Sequence, residues 1–518
     1  MPSGTPGNDT LVLTSPVFFD QVDMGDGRDE LTLADSPDGN YVAVSNAEVV
    51  IGGSGNDAVT LYMDTMAFVK GNVSVDLKGG VNTLYFGDPI PGLVGISNVH
   101  HFIGSYADDL IGFDIPAAGT STVNVDMDQG NDTFYYNIDL PSSALPSAIT
   151  VIGAETITGF TKASADITIG GQATGTNVTM SGTSDVLRLT TNALTNTLTS
   201  HGAETIIGSE DRDVVRVDLN YGPAKLDLGV GNDRVELLGS NMNSVEVTNV
   251  EALLGRGIAD NVVLSGASPI AMSIDLGGGQ DSLLALGLEG RSLLVSNTET
   301  IVLGSGGDSV NVRTALKNGV IDMGDGLDFL TLQGSGNSVS IINAEDIIGG
   351  AGADKLTLQG VNGAYVDAGA GADVVIGTDH TDILYGNLGG DTLNGGGGDD
   401  FIIGGLGKDT MTGGEGADRF VFRGGADSDL ATRDIITDFQ VGVDKLEFEN
   451  MLQGQFTLVT ETAFSGFTAN GQTQAHFLDA TDQLLFDVNG DGAMDMRMTL
   501  QGVDGTQLAA TDFIWSFD

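Results

Sequence analysis

Apolar residues alternate with polar ones over short runs in this chain, and glycine and aspartate cut the runs. Val42–Ser45, Leu187–Thr190 and Val245–Thr248 are of this kind, rich in β-branched residues and leucine. Alternation with period two predicts half-buried strands. No segment sustains a helical period. The rhythm is tightest at 368–421, which reads in nines as AGAGADVVI, GTDHTDILY, GNLGGDTLN, GGGGDDFII, GGLGKDTMT and GGEGADRFV. The sixth place is always aspartate: Asp373, Asp382, Asp391, Asp400, Asp409 and Asp418. The eighth is always apolar: Val375, Leu384, Leu393, Ile402, Met411 and Phe420. Side chains alternate along a strand, so the last three residues of each nine form a short strand with its middle residue in the core. Two nonapeptides per coil of a parallel β-roll are expected.

A looser form of the pattern fills residues 1–367. One unit is an apolar residue, aspartate, leucine or methionine, then Gly-x-Gly-x-Asp, as in VDMGDGRDEL at 22–31, LDLGVGNDRV at 226–235 and IDMGDGLDFL at 321–330. VDMDQGNDTF at 125–134 and VDLKGGVNTL at 75–84 are variants, the second with Asn82 in the aspartate place. The other unit is N-x-E, with an aspartate nine residues after the glutamate: Glu48 and Asp57, Glu204 and Asp213, Glu251 and Asp260, Glu299 and Asp308, Glu345 and Asp354. At 155–166 the spacing stretches to eleven, and at 97–109 His100 takes the glutamate place. From residue 166 onward the unit-closing aspartates alternate in steps near 20 and near 27. A fixed long period signals a solenoid, expected with one coil per aspartate turn. Proline clusters at 89–91 and 141–146 mark longer loops. After Val421 the glycine rhythm stops and phenylalanine is enriched. The expected fold is all-β: a right-handed parallel β-solenoid over 1–367, a β-roll over 368–421, and a β-rich cap over 422–518 that covers the last open edge.

Composition narrows the partners. There are 71 acidic against 20 basic residues, a formal charge of −51. Nucleic acid and anionic membrane need a basic surface and are excluded as partners. Hydrophobic residues at 41% argue against disorder. A folded chain this acidic needs counter-charge, which divalent cations supply. With no cysteine, disulfides and thiolate metal sites are excluded. No apolar run is long enough to span a bilayer. MPSGTPGNDT has neither a basic segment nor an apolar core, so no Sec-type signal is expected.

The turns carry the candidate chemistry. Glycine reaches φ > 0 without steric cost, so each turn can aim carbonyls inward. The aspartate adds a hard anionic oxygen, and calcium takes six to eight such oxygens in irregular geometry. One turn has too few ligands, so stacked turns must share each ion. The expected ligands are Asp373, Asp382, Asp391, Asp400, Asp409 and Asp418, with Asp29, Asp57, Asp132, Asp233, Asp328 and Asp354 from the looser units. Thr378, His380 and Asn387 replace glycines, and sites using those turns are expected to be weaker. The N-x-E glutamates are expected to hydrogen-bond within stacked turns. DVNGDGAMD at 487–495 is a second signal: Asp487, Asn489 and Asp491 match the start of an EF-hand loop, but Met498 stands where the bidentate glutamate belongs. A hairpin turn is the alternative for it. His100 and His101 lack a third ligand and are expected to pack or lie at the surface.

The nonapeptide resembles the calcium-binding repeat of RTX proteins. GADRFVF at 416–422, DIITDFQVGVDKLEF at 434–448 and QLLFDVNGDGAMD at 483–495 resemble the C-terminal domain that follows the β-roll in serralysin-type secreted proteins. The loose units resemble degenerate repeats of large bacterial surface proteins. The resemblance implies several bound calcium ions, export through a type I ABC transporter by an uncleaved C-terminal signal, and folding outside the cell on meeting calcium. A serralysin protease would need H-E-x-x-H, which none of the five histidines forms, and G-x-S-x-G is absent too. The expected function is non-enzymatic: a secreted surface-layer, matrix or adhesion protein that meets itself or a cell-surface glycan. The alternative is a β-solenoid lyase or epimerase acting on extracellular polysaccharide, for which clustered Lys, Arg and Tyr beside carboxylates on a solenoid face would be the sign.

Overall fold

The computed structural model describes residues 4–62, 73–87, 93–105, 109–115, 122–127, 132–138, 147–159, 165–182, 184–221, 223–240, 243–266, 271–459 and 464–516. Both proline clusters lie outside them. The chain divides into two units, Met1–Ile258 and Ala259–Asp518. No α-helix occurs among the described residues.

The first unit is two parallel ladders of short strands that alternate along the chain. Thr10–Val12, Glu30–Thr32 and Val49–Ile51 pair in one ladder; Phe18–Asp23, Tyr41–Ser45 and Ala58–Tyr62 pair in the other. Every second side chain of a strand enters the space between the ladders. Register then stacks like on like: Leu31, Val50, Val75, Ile96, Phe113 and Tyr136 follow one another coil by coil, all buried.

The second unit repeats this plan. Leu330, Ile347, Val366, Leu384, Ile402, Phe420 and Leu446 form one buried column; Leu356, Val375, Leu393, Met411, Ile436 and Leu500 form the other. All six eighth-place residues of the nonapeptides have 0% exposure, so the expected inward strand position holds. Val375 pairs with Leu393, two nonapeptides on, as expected for the β-roll. Beyond Phe422 the pairing changes sense. Gln474–Leu478, Gln483–Asp487 and Met496–Leu500 run antiparallel, and the last of these joins the parallel ladder beside Ile435–Ile436. Phe448, Phe456, Phe486, Phe513 and Trp515 pack together here.

The loose units do not follow the expected rule of one coil per aspartate turn. Five strands separate Asp260 from Asp308: Asp260–Leu264, Met272–Asp275, Ser282–Ala285, Ser292–Ser296 and Thr300–Leu303. A coil holds two strands, so this repeat advances two and a half coils. Successive copies therefore fall on opposite edges: Asp260 opens and Asp281 precedes a strand of one ladder, and Asp308 and Asp328 precede strands of the other. The alternation of steps is this odd strand count seen in sequence. A second correction concerns Asp166. It lies on the strand Ala165–Gly170 and pairs with Arg188 at 2.9 Å, while the backbone N–H of Ala165 occupies the turn position.

Core and surface make opposite predictions. Ile402→Ala leaves a cavity in a closed column and should cost about 2–5 kcal/mol. Leu406→Ala, at an exposed position, should stay within about 0.5 kcal/mol. Urea denaturation with calcium present reads both.

Candidate cation-binding turns

Each strand is entered through a turn, and the residue closing that turn decides how coils stack. In the second unit the backbone N–H of Asp354 donates to Asp373 Oδ1 at 2.8 Å, that of Asp373 to Asp391 at 2.7 Å, Asp391 to Asp409 at 2.8 Å, and Asp409 to Asp434 at 2.8 Å. The opposite edge runs from Asp382 to Asp400 at 2.8 Å, Asp400 to Asp418 at 3.0 Å and Asp418 to Asp444 at 3.1 Å. These carboxylates are almost wholly buried, so each turn aspartate holds the coil before it.

The loose units use the same ladder with different ends. Asp308 donates to Asp328 Oδ1 at 2.6 Å, and Asp328 donates to Glu345 Oε2 at 2.9 Å. Glu48, Glu155, Glu204, Glu251 and Glu299 accept in the same way from Asp29, Asp132, Asp185, Asp233 and Asp281. The N-x-E glutamates thus hydrogen-bond in stacked turns, as expected. His100 does their work through Nδ1, 3.3 Å from the Asn82 N–H; burial, then His101, pushes its pKa down, which keeps that nitrogen an acceptor. The asparagine of N-x-E has its own task. Asn98, Asn249, Asn297 and Asn343 adopt φ between 52° and 56°, and their amides reach Asp76, Asp227, Asp275 and Asp322 of the preceding unit. Asn387, at φ 67°, makes the same clip to Asp367 at 2.8 Å. Asparagine tolerates the left-handed region, so it suits a glycine place there.

The second carboxylate oxygen sorts the turns. Oδ2 of Asp29, Asp233, Asp281, Asp328, Asp354, Asp373, Asp391, Asp400, Asp409, Asp418 and Asp434 is buried with no hydrogen-bond partner. A buried charged acceptor without a partner is costly. In Asp57 and Asp382 that oxygen is satisfied within the turn, by the N–H of Gly53 at 2.8 Å and of Thr378 at 2.6 Å. Asp132 closes its turn in the same ladder. Asp281 and Asp434 were not among the expected ligands, although Asp281 closes the looser unit IDLGGGQDSL at 274–283; Asp434 follows an insertion of irregular chain after Phe422.

Two of the orphaned oxygens face glycine carbonyls of the next coil. A Cβ placed on Gly386 would lie 2.6 Å from Asp391 Oδ2 and against the carbonyl oxygen of Gly404, one coil on. A Cβ on Gly395 would meet Asp400 Oδ2 and lie 2.7 Å from the Gly413 carbonyl. Glycine keeps this cradle open. Asn82 shows what the cradle accepts: its amide nitrogen takes the place of the second oxygen and donates to the carbonyls of Leu77, Gly79 and Asn98 at 3.0, 3.0 and 2.9 Å. The place is built for a positive or donor group among oxygens. No group of three or more His, Cys, Asp or Glu side chains converges among the described residues, so carbonyls must complete any ligand set. All-oxygen donors, two coils sharing, suit calcium rather than a nitrogen- or sulfur-seeking metal.

The 487–495 loop is wired differently. It joins the antiparallel strands Gln483–Asp487 and Met496–Leu500. Asp487 accepts from the N–H groups of Gly490, Asp491 and Gly492, Asn489 Oδ1 accepts from Asp491 N–H, and Asp491 Oδ1 accepts from Ala493 N–H. These side chains close the turn on its own backbone.

Residues 300–515 match the family model described as Peptidase M10 serralysin C terminal, so this part of the chain carries repeats of that type. Among solved structures, the AlgE6R3 subunit of the Azotobacter vinelandii mannuronan C5-epimerase is similar over 27% of this chain and 76% of its own, at 24% identity and a TM-score of 0.21. No curated protein matches. No helix among the described residues is long and apolar enough to cross a membrane.

Burial, reinforced by neighbouring aspartates, pushes the Asp391 and Asp400 carboxyls up to about 7, and burial pushes Asp434 up to about 8. Asp409 and Asp418 rise to about 6. An unfolded aspartate titrates near 3.9. Folding therefore favours the protonated acid: this contribution is complete below about pH 4 and is lost as pH rises through about 6–8. In chelator, the far-ultraviolet β signal should be stronger at pH 5 than at pH 8.

Proposed function

We propose that this protein is a calcium-loaded β-solenoid of the cell exterior whose rows of stacked turns fold around the ions. The carrying observation is the column of buried, unpartnered Oδ2 atoms, of which those of Asp391 and Asp400 face glycine carbonyls of the next coil. Asp29, Asp233, Asp328, Asp354, Asp373, Asp391, Asp400, Asp409 and Asp418 are the proposed ligands, joined by Asp281 and Asp434. Asp132 belongs with them by its place in the ladder. Asp57 and Asp382 would have to give up a bond from their own turn. Asp487, Asn489 and Asp491 would have to reopen theirs.

Calcium would supply the positive charge that the turns lack. Between stacked carboxylates it replaces repulsion with shared coordination, so binding free energy becomes folding free energy. The serralysin-type C-terminal repeats support secretion through a type I ABC transporter, with the chain folding where calcium is plentiful. The role proposed is structural: a component of a surface layer, matrix or adhesive coat.

Metal-free protein titrated with calcium should gain β structure by far-ultraviolet circular dichroism, and magnesium, which demands tight octahedral geometry, should not replace it. Light scattering that rises with the β signal supports assembly; a full β spectrum in chelator, unchanged by calcium, rules out ion-driven folding. Asp400→Asn gives a sharper test. Its amide oxygen can still accept from Asp382, and its nitrogen can donate to the Gly413 carbonyl, as Asn82 does to its neighbours. The variant should keep more β structure than the parent in chelator. Its calcium midpoint should rise about tenfold.

A further inference from the structure

We propose that the outer face of the ladder from Phe329–Leu332 to Arg419–Phe422 is a contact surface for an uncharged polysaccharide, whose sugar rings stack on Phe329 and Tyr365. The inference goes beyond calcium binding and needs only that the second unit is folded.

The placement is a matter of register. Phe329, Asp346, Tyr365, Ile383, Phe401 and Arg419 follow one another across six neighbouring strands. The three rings therefore recur every second coil, two strand spacings or roughly 9.6 Å apart. Phe329 precedes the tandem nonapeptides, so repetition of that unit does not place it. Phe329 and Tyr365 are 38% and 40% exposed; Phe401 is less open, and the ladder's inward aromatic, Phe420, is fully buried. Large apolar groups aligned on an open strand face are a liability unless something covers them.

The rings are also held and edged with donors. Tyr385 stands beside Tyr365, their centroids 5.3 Å apart. The Arg419 guanidinium lies 5.1 Å over the Phe401 ring and is anchored by Glu447 at 3.3 Å. Arg423 lies 5.0 Å over Tyr385, donates to its hydroxyl at 3.2 Å, and is anchored by Glu449 at 2.9 Å. Cation–π contact of this kind fixes a ring's plane while leaving guanidinium N–H groups at its edge.

A pyranose has the complementary surface: an apolar face of C–H groups and a rim of hydroxyls. Two open rings roughly 9.6 Å apart suit a linear polymer that repeats every two sugars. A protein partner would instead be expected to centre on one compact cluster of anchors. The charge of −51, with Asp346 on the same face, turns away a polyanion.

Affinity electrophoresis of the full, calcium-loaded chain tests this, with hydroxyethyl cellulose as the neutral probe and alginate as the anionic one. Hydroxyethyl cellulose should slow the protein. Phe329→Ala with Tyr365→Ala should weaken the retardation about tenfold, with an unchanged β spectrum. Phe19→Ala, which removes an exposed ring from the first unit, should leave it unaltered. No retardation of the folded protein, retardation by alginate alone, or retardation indifferent to the paired ring variant would overturn the assignment. Retardation of a protein that is fully β-folded in chelator would uphold this inference while removing the calcium reading.

Discussion

One hydrogen bond governs this architecture: the backbone N–H that closes a turn donates to the carboxylate of the turn one coil further on. A parallel ladder pairs strands, but leaves the turns to be aligned by something else. The buried aspartate does this with one oxygen. Its partner oxygen is then carried into the interior with nothing to bind, and the glycines around it leave room beside carbonyls. Turn alignment and the demand for a cation are thus two consequences of a single residue choice.

The two kinds of repeat are one device with different terminators. In 373–444 aspartate follows aspartate on both edges without a break. In the looser units a glutamate ends each run, its longer side chain reaching the preceding aspartate N–H, and His100 does the same with the Asn82 N–H. The run then resumes on the other edge, since the repeat contains an odd number of strands. Left-handed asparagines such as Asn249, Asn297 and Asn343 clip their units to the one before, and Gly153 and Gly202 take that left-handed place in the units of Glu155 and Glu204. Breaking the runs limits how many buried carboxylates stack in succession, and so limits the charge that ions must offset.

Much of this was legible from the residues. The nonapeptide places of Asp391 and Leu393 gave the turn and the core column directly, because period two and the turn chemistry agree there. The looser region was less legible. Asp166 resembled a turn aspartate until register placed it on a strand beside Arg188. The 20 and 27 steps suggested single coils, and only strand pairing exposes the half-coil. Which aspartates keep an unpartnered oxygen depends on whether a neighbouring N–H, such as that of Thr378, turns toward it. The row of Phe329, Tyr365 and Phe401 was invisible for a similar reason: the residues meet only through register.

The central claim is that the unpartnered oxygens of stacked aspartates are calcium ligands. Diffraction from calcium-grown crystals, with anomalous differences collected for calcium, tests it most directly. The account predicts anomalous peaks beside Oδ2 of Asp391, Asp400, Asp409 and Asp418, each completed by carbonyls of the adjoining coil. A folded β-roll with water, or no density, beside those oxygens would contradict it.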